Sequence, residues 1–305
     1  MNINWYPGHM KKTRELIAAN LKMVDLAIEV CDARIPVSSR NPIIDEILGE
    51  KDRILILNKS DLADENATAR WLETLRNEKS KAGKRPLAVM ALNSQSGAGV
   101  KTLFTRLEKI EKDKLPPSQT ANRRRKPLRL MIVGVPNSGK SSLINRLTGK
   151  KSAQTGDRPG VTKGKQWLTL ENGMQLLDTP GILWPKFEDP NVGQNLAFCG
   201  AIRDEILDTP ELALSLLRVL IAGYPEQLAA RYDIDLTPAE TPDDPDELYD
   251  ADGAPIEKDL ALTVMDRIAE KRGYILPGKR IDYERTARQL LDEFRAAKIG
   301  RITLE

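Results

Sequence analysis

The segment 134–141 reads Gly-Val-Pro-Asn-Ser-Gly-Lys-Ser, which is the residue spacing of a phosphate-binding loop. An apolar run precedes it and a helical pattern of Leu143, Ile144 and Leu147 follows it, which is the context that this loop requires. The glycines let backbone N–H groups turn toward phosphate oxygens, and the start of the helix adds a partial positive charge. A chance glycine-rich turn is the alternative. The spacing and its flanks together predict a nucleotide site.

The side chains of this loop predict how the nucleotide is held. The Lys140 ammonium is expected to reach the β- and γ-phosphates, and the Ser141 hydroxyl is expected to ligate Mg²⁺. The residues expected to contact the nucleotide here are Asn137, Ser138, Gly139, Lys140, Ser141 and Ser142. This part of the sequence indicates a nucleotide without saying which base it carries.

A second motif, Asn-Lys-Ser-Asp at residues 58–61, directly follows an apolar run and has the form used to read guanine. The Asp61 carboxylate can accept hydrogen bonds from guanine N1–H and from its exocyclic amine, whereas adenine offers no such donor pair and leaves the charge unpaired. Asn58 is expected to pin neighbouring loops, and the stem of Lys59 to cover the ring face. The guanine-binding set is Asn58, Lys59, Ser60 and Asp61, completed by Asn93 and Ser94, with backbone N–H groups for guanine O6. A surface turn is the alternative for the tetrapeptide alone.

Two Pro-Gly segments supply the remaining polar groups. The sequence Asp-Thr-Pro-Gly at 178–181 follows a strand-like run, so Asp178 is expected to hold Mg²⁺ through water and the Gly181 N–H to touch the γ-phosphate. Thr162, in Arg-Pro-Gly-Val-Thr at 158–162, is the expected second Mg²⁺ ligand. A plain turn is the alternative for each segment.

These motifs need a scaffold that brings them together. Short apolar runs alternate with helical patterns along the first half of the chain; the runs are 26–30, 53–57, 86–92, 128–133 and 174–177. This alternation predicts an α/β domain with a mostly parallel sheet and helices on both faces. Ligands of such sheets gather at the carboxyl ends of the strands, where the polar motifs lie. From about residue 185 onward the strand pattern disappears, which predicts an all-helical C-terminal domain.

The motif order is unusual, because the guanine-reading motif precedes the phosphate loop and the Pro-Gly segments follow it. Ordinary GTPases have the phosphate loop first. A closed domain with adjacent termini tolerates such a circular permutation. We therefore predict a circularly permuted P-loop GTPase domain over residues 1–185, with an N-terminal arm over 1–22 and a linker over about 112–126. Residues 186–305 form the predicted helical domain.

Composition narrows the class of protein. The chain has 305 residues, 30% of them charged, a net charge of +3 and a pI of about 8.7, so only local charge can indicate a polyanionic partner. Two cysteines, Cys31 and Cys199, exclude a disulfide framework, and the single histidine, His9, excludes a His-pair metal motif. The longest apolar stretch, 212–223, is too short for a membrane helix, and no signal peptide is apparent. The sequence thus predicts a cytoplasmic protein without a membrane partner.

The combined motifs resemble the ribosome biogenesis GTPase A family over nearly the whole chain. The resemblance rests on the guanine-reading and phosphate-binding motifs, both Pro-Gly segments, Trp-Tyr-Pro-Gly-His-Met at 5–10 and Asp-Ala-Arg-Ile-Pro at 32–36. It implies a circularly permuted GTPase that assists assembly of the large (50S) ribosomal subunit, binding the precursor with GTP and leaving after hydrolysis. The implied partners are GTP, GDP, the subunit and its rRNA, and no DNA. A GTP-gated adaptor for a protein or another RNA, with incidental hydrolysis, is the alternative, whereas a metabolic kinase is disfavoured.

The resemblance also suggests how hydrolysis is assisted. Ile182 and Leu183 follow Gly181, and an apolar side chain cannot polarise water, so intrinsic turnover should be slow and stimulated by the subunit. His9 is the candidate catalytic group, with RNA contact or local packing as its alternative. Asn137 is a candidate K⁺ ligand, as in related GTPases, or else closes its own loop by a hydrogen bond.

Three basic segments are candidate rRNA contacts: 11–14, 123–126 and 271–301. Trp5 and Tyr6 add aromatic rings for base stacking beside the first of them. An acidic stretch, 233–259, contains eleven Asp or Glu and one Lys, so the RNA-binding face must be local. The helical domain is therefore the expected RNA-binding domain.

Overall fold

The computed structural model describes residues 8–114, 126–149, 166–179, 187, 189–238 and 259–305. These divide into two compact units. The sheet unit comprises residues 2–203 together with 301–305, and the helical unit comprises residues 204–300. The division differs from the predicted boundary at 185/186 in two ways: it falls after Arg203, and the last five residues belong with the sheet.

Among the described residues of the sheet unit, six strands form one sheet in the order β3-β2-β1-β4-β6-β5. The strands are β1 (Leu26–Asp32), β2 (Arg53–Asn58), β3 (Ala88–Ala91), β4 (Arg129–Val133), β5 (Gln166–Thr169) and β6 (Gln175–Asp178). All neighbours are parallel except β5 and β6, which pair antiparallel. The predicted mostly parallel sheet is confirmed. Strand β5 was not anticipated, because its Gln-Trp-Leu-Thr sequence is not an apolar run.

Alternation along the central strands gives the sheet two buried faces. Leu26, Ile28 and Val30 of β1 point to one face. Cys31 of β1, with Leu55 of β2, belongs to the core on the other face. Each face packs against helices, as the near-continuous apolar character of these strands predicted.

The helices of the sheet unit are α1 (Gly8–Asn20), α2 (Pro42–Leu48), α3 (Glu65–Asn77), α4 (Val100–Asp113), α5 (Lys140–Thr148) and α6 (Pro190–Phe198). Helices α4 and α5 cover the first face and α3 covers the second. Asp64 caps α3 by accepting from the Ala67 N–H at 2.7 Å.

Two predicted irregular segments are partly helical. Residues 8–20 of the predicted N-terminal arm form α1, in which Ile17 is fully buried, so an apolar anchor holds this segment. The start of the predicted linker belongs to α4, which continues to Asp113. Residues 115–125, which include Arg123, Arg124 and Arg125, lie outside the described residues.

The helical unit contains α7 (Thr209–Gly223), α8 (Pro225–Tyr232), α9 (Leu260–Arg272) and α10 (Tyr283–Arg295). Aspartates begin three of them: Asp208, Asp259 and Asp282 each accept a hydrogen bond from a backbone N–H in the first turn. The helical character predicted for this region is confirmed. A two-residue strand pair, β7 (Ile275–Leu276) and β8 (Arg280–Ile281), connects α9 to α10, so the unit is not purely helical.

Within the described residues, no helix combines the length and apolar character that crossing a bilayer requires.

Candidate functional site

The predicted motifs lie at the carboxyl ends of three parallel strands. Asn58 is the last residue of β2, Asn93 follows β3 closely, and Gly134 directly follows β4. Because these strands run parallel, their ends share one edge of the sheet, where α/β proteins bind ligands. The fold therefore brings together segments that lie far apart in the sequence.

The loop between β4 and α5 depends on two glycines. Gly134 has φ of +149°, and a Cβ built there would lie 2.3 Å from the Val30 carbonyl oxygen. Gly139 has φ of +89°, and its Cβ would lie 2.0 Å from Asn58 Nδ2. No side chain fits at either position without moving buried groups. The glycines thus let the loop backbone approach β1 and the guanine-reading loop.

Lys140 begins α5 and is almost fully buried. Its ammonium donates a hydrogen bond to the Val135 carbonyl at 2.7 Å, and the Ser138 hydroxyl donates to the same oxygen at 3.0 Å. These contacts hold the lysine inside the curve of its own loop. There the helix N-terminus and the ammonium together provide positive charge for an anion.

Asn58 joins three loops, as the sequence predicted. Its Nδ2 donates to the Ser138 carbonyl at 2.8 Å, and its Oδ1 accepts from the Ser94 N–H at 3.1 Å. The side chain is fully buried, so both bonds are shielded from water. Asn58 therefore sets the distance between the phosphate-binding loop and the two loops at the ends of β2 and β3.

The loop after β3 is a compact turn. The Asn93 carboxamide oxygen accepts from the N–H groups of Gln95 and Ser96, at 2.8 and 3.0 Å. Arg146 of α5 reaches this turn and donates to the carbonyls of Ser94 and Gln95, the first at 3.4 Å. Sequence reasoning missed Arg146, whose contacts cross 52 residues of chain.

An ion-pair network, also missed from the sequence, holds the lysine of the guanine-reading motif. The Lys59 ammonium lies 3.0 Å from Asp32 Oδ2. Asp32 in turn accepts from Nε and Nη2 of Arg34, at 2.9 and 2.8 Å. The available signal was the Asp-Ala-Arg sequence at the end of β1, where parallel strands place functional groups.

The Asp32 carboxylate is charged in this network. Burial by itself raises the pKa of Asp32, but the Arg34 guanidinium and the Lys59 ammonium outweigh that effect and hold the pKa well below its ordinary value of 3.8. Both Asp32 and Arg34 are only 2% exposed. Lys59 is thus tethered at its charged end to a fixed anion.

Asp61 lies on an exposed turn after β2. The Ser60 N–H donates to the Leu92 carbonyl at 3.2 Å, and the Leu62 N–H donates to the Lys59 carbonyl at 2.9 Å. The structure thus brings Asn58, Lys59, Asp61, Ser94 and the phosphate-binding loop to one edge of the sheet. Residues 301–305 also contact the turn that carries Asp61.

The predicted Mg²⁺ ligands are only partly described. Ser141 lies in the first turn of α5, and Asp178 ends β6, the neighbour of β4. The Thr179 hydroxyl donates to the Ile132 carbonyl, which holds the end of β6 against β4. A serine hydroxyl and an aspartate carboxylate are oxygen donors of the type that Mg²⁺ prefers, so the residue types fit the ion. Thr162 and Gly181 lie outside the described residues.

Two further predicted groups can be located. His9 is the second residue of α1, and the structure describes its backbone alone. Asn137 has φ of +55°, and its Nδ2 donates to the Gly200 carbonyl at 2.6 Å. This bond joins the phosphate-binding loop to the turn after α6, which is a different partner from the loop-closing bond expected as the alternative to K⁺.

A parallel sheet with a phosphate-binding loop and an Asn-Lys-Ser-Asp turn at one edge defines a P-loop GTPase. A family model described as "50S ribosome-binding GTPase" matches residues 129–226. Ribosome biogenesis GTPase A of Priestia megaterium is 43% identical over 306 residues, covering 100% of this chain and 97% of that protein. The chain belongs to the ribosome biogenesis GTPase A family.

Other relatives and solved structures agree with this assignment. Mitochondrial ribosome-associated GTPase 1 of Mus musculus is 37% identical over 239 residues, covering 74% of this chain and 70% of that protein. The GNP-bound crystal structure of YlqF from T. maritima superposes with a TM-score of 0.61 at 28% identity, covering 96% of this chain and 97% of that one. A GDP-bound YlqF structure gives 0.62, with coverage of 95% and 98%.

Proposed function

We propose that this GTPase is an assembly factor that binds the precursor of the large ribosomal subunit in its GTP form and leaves after hydrolysis. The observation that carries the proposal is the Asn58 side chain, which bonds both the phosphate-binding loop and the loop after β3. This connection makes one continuous site for a base and its phosphates. The choice of the ribosomal subunit as the partner follows from the relatives' names, which refer to ribosome biogenesis and to ribosome association.

The base end of the site selects guanine. Asp61 accepts from guanine N1–H and from the exocyclic amine, while the tethered stem of Lys59 covers one face of the ring. The backbone N–H groups of Asn93 and Ser94, expected from the sequence to donate to guanine O6, instead bond to the Ala98 carbonyl at 3.0 Å and to Asn58 Oδ1 at 3.1 Å, so these residues shape the turn beside the base. The buried charge of Asp32 supports this arrangement, because it holds Lys59 by an ion pair of 3.0 Å.

The phosphate end uses the backbone of residues 137–142, the Lys140 ammonium and the hydroxyl of Ser141. Ser141 and Thr162, with Asp178 through water, would hold Mg²⁺, which would supply positive charge beside the phosphates. The Gly181 N–H contacts the γ-phosphate. Lys140 stabilises the charge that develops on the phosphate oxygens as the bond to the leaving group breaks.

Two groups are proposed to assist hydrolysis. His9 orients the attacking water, since Ile182 and Leu183 offer no polar atom for it. A K⁺ ion held through Asn137 is a second source of positive charge; equal activity in Na⁺ and K⁺ buffers would exclude it. Within the Asn137 carboxamide the oxygen is the atom that can ligate a cation, because the nitrogen carries only donors.

The partner is rRNA of the large subunit in the cytoplasm, contacted by a local basic surface of the helical unit. Exposed arginines and lysines along α9, the β7–β8 pair and α10 support this surface; they include Lys271, Arg280, Arg285 and Arg288. Phosphate contacts of this kind weaken steeply with added salt.

The test is sedimentation with isolated large subunits in the presence of GDP or a non-hydrolysable analogue of GTP. We expect the protein to pellet with the subunits when the analogue is present and to stay in the supernatant with GDP. Phosphate release from GTP should rise when subunits are added. A nucleotide-gated adaptor of another kind would show neither effect.

An Asp61→Asn variant separates base recognition from subunit binding. Xanthine has a carbonyl where guanine has the exocyclic amine, so an Asn amide donates to it while its oxygen still accepts from N1–H. We expect the variant to lose co-sedimentation with the GTP analogue and to regain it with the corresponding xanthosine analogue. Unchanged dependence on the guanine analogue would contradict the assigned role of Asp61.

A further inference from the structure

Residues 301–305, which we call the return segment, form hydrogen bonds to the turn that contains Asp61. Arg301 Nη2 donates to the Ser60 carbonyl at 3.0 Å, and its Nε donates to the Ala63 carbonyl at 2.8 Å. The Ile302 N–H donates to the Leu62 carbonyl at 3.1 Å. Three donors therefore hold the carbonyls on both sides of Asp61, across 241 positions of sequence between Arg301 and Ser60.

The remainder of the return segment is firmly seated on the sheet unit. Ile302 is 1% exposed and Thr303 is 5% exposed. The Thr303 hydroxyl accepts from the Asp64 N–H at 3.1 Å. The Glu305 carboxylate accepts from the N–H groups of Val37 and Ser38, at 2.7 and 3.0 Å. These contacts fix the direction from which the Arg301 side chain approaches the turn.

The backbone around Asp61 has few other hydrogen bonds. The Leu62 N–H donates to the Lys59 carbonyl and the Ser60 N–H donates to the Leu92 carbonyl, while the ion pair of Lys59 with Asp32 holds a side chain and not the carbonyls beside Asp61. Asp61 itself is exposed, so packing does not orient its side chain. A carboxylate that must accept two parallel hydrogen bonds depends on the position of its backbone.

We propose that Arg301 is a positioning residue for base selection, which holds the turn so that the Asp61 carboxylate meets both donors on the guanine edge. The inference rests on the role proposed above for Asp61. It adds a specificity determinant outside the nucleotide-binding motifs. A guanidinium suits this task because its planar fork reaches two carbonyls at once, whereas a lysine reaches one.

The test compares GDP with inosine diphosphate, which lacks the exocyclic amine. Equilibrium binding of both nucleotides is measured for the wild type, Arg301→Ala and Arg301→Lys. In Arg301→Ala we expect the Kd for GDP to rise about tenfold and that for inosine diphosphate to rise about twofold, because the bond to the amine is lost first. The preference for GDP thus falls about fivefold, and Arg301→Lys should be intermediate.

Arg106→Ala is the matched control. Arg106 also donates to a backbone carbonyl, that of Leu87 at 2.7 Å, but near the start of β3, at the opposite edge of the sheet. Its loss should leave the preference for GDP unchanged. Arg301 has a half-exposed side chain, so Arg301→Ala should fold, and thermal melting checks this.

The outcomes separate this inference from the proposed function. If Asp61→Asn removes the preference for GDP while Arg301→Ala leaves it intact, Asp61 keeps its role and the inference about Arg301 is wrong. Equal weakening of both nucleotides by Arg301→Ala would also overturn it, since that result indicates a general structural role. If neither variant changes the preference, the proposed base recognition itself fails.

Discussion

The two halves of the sheet hold their functional loops in different ways. In the first half, β1 to β3, contacts between side chains and their neighbours hold the loops in place. Asp32 pairs with Arg34 and Lys59, and the Asn58 carboxamide forms hydrogen bonds to two other loops. In the second half, β4 to β6, the loop after β4 depends on glycines whose backbone passes within van der Waals distance of β1 and Asn58.

The difference matches the chemistry that each end must perform. A base is recognised by its pattern of donors and acceptors, which requires side chains held at fixed positions. A triphosphate carries charge on every side, so a ring of backbone N–H groups at a helix start suffices. We therefore expect glycine substitutions to be most damaging in the second half and charge substitutions in the first.

The largest expected effect is that of Gly139→Ala. The new Cβ would lie 2.0 Å from Asn58 Nδ2, and φ of +89° disfavours any side chain there. Asn58 would have to abandon its buried bonds, so we expect a loss of about 3 kcal/mol in the free energy of unfolding. Guanine-nucleotide affinity should fall about 100-fold, because both loops move. Urea unfolding and equilibrium binding measure the two effects.

Gly173→Ala is the matched control, since Gly173 has nearly the same φ, +84°, with no atom within 4 Å of the built Cβ. It isolates the cost of the backbone conformation, which is about 1 kcal/mol. Nucleotide affinity should not change. If the two variants behave alike, the close approach to Asn58 does not matter and the contrast between the halves is weakened.

The second prediction concerns Asp32→Asn in the first half. The substitution preserves shape but removes the anion that faces Arg34 and Lys59 within a buried network. We expect a loss of about 3 kcal/mol in unfolding free energy and a Kd for GDP raised several-fold, because Lys59 loses its tether. Glu284→Gln, which breaks an exposed pair with Arg288, should cost less than about 0.5 kcal/mol.

The pH dependence of this variant has a definite sign. Neighbouring cations lower the pKa of Asp32 in the folded protein, below the ordinary value of 3.8. Its stabilising effect is therefore fully present above that value and is lost as the pH falls below it. The difference in unfolding free energy between wild type and Asp32→Asn should be constant at neutral pH and shrink in acid. A difference that grows in acid would contradict the charged state of Asp32.

Much of the site could be predicted from the sequence, because its motifs are local. The phosphate-binding loop and the guanine-reading turn are each contiguous segments with characteristic spacing, and the rules for parallel sheets place the ends of their strands at one edge. The permuted order of these motifs along the chain could be recognised for the same reason. The sheet itself followed from short apolar runs such as 53–57.

What could not be predicted are contacts between segments with no pattern of their own. Arg301 and Arg146 belong to no recognisable sequence motif. Their hydrogen-bond partners are backbone carbonyls, which every residue possesses. Strand β5 was missed since an edge strand needs no continuous apolar run. The position of α1 was missed because the helix is largely polar and, in the part whose side chains are described, Ile17 is its one buried apolar residue.

The smallest expected effect comes from Arg146, which links the two halves through α5. It donates to the carbonyls of Ser94 and Gln95, in the turn that Asn58 bonds at the Ser94 N–H, but it is exposed to solvent. Arg146→Ala should cost less than about 1 kcal/mol in unfolding free energy and raise the Kd for GDP about twofold to threefold. Arg76→Ala is the matched control, because Arg76 is also exposed in the last turn of a helix. Equal binding by the two variants would mean that the Arg146 contacts do not help position the base site, and isothermal titration with GDP decides between the two outcomes.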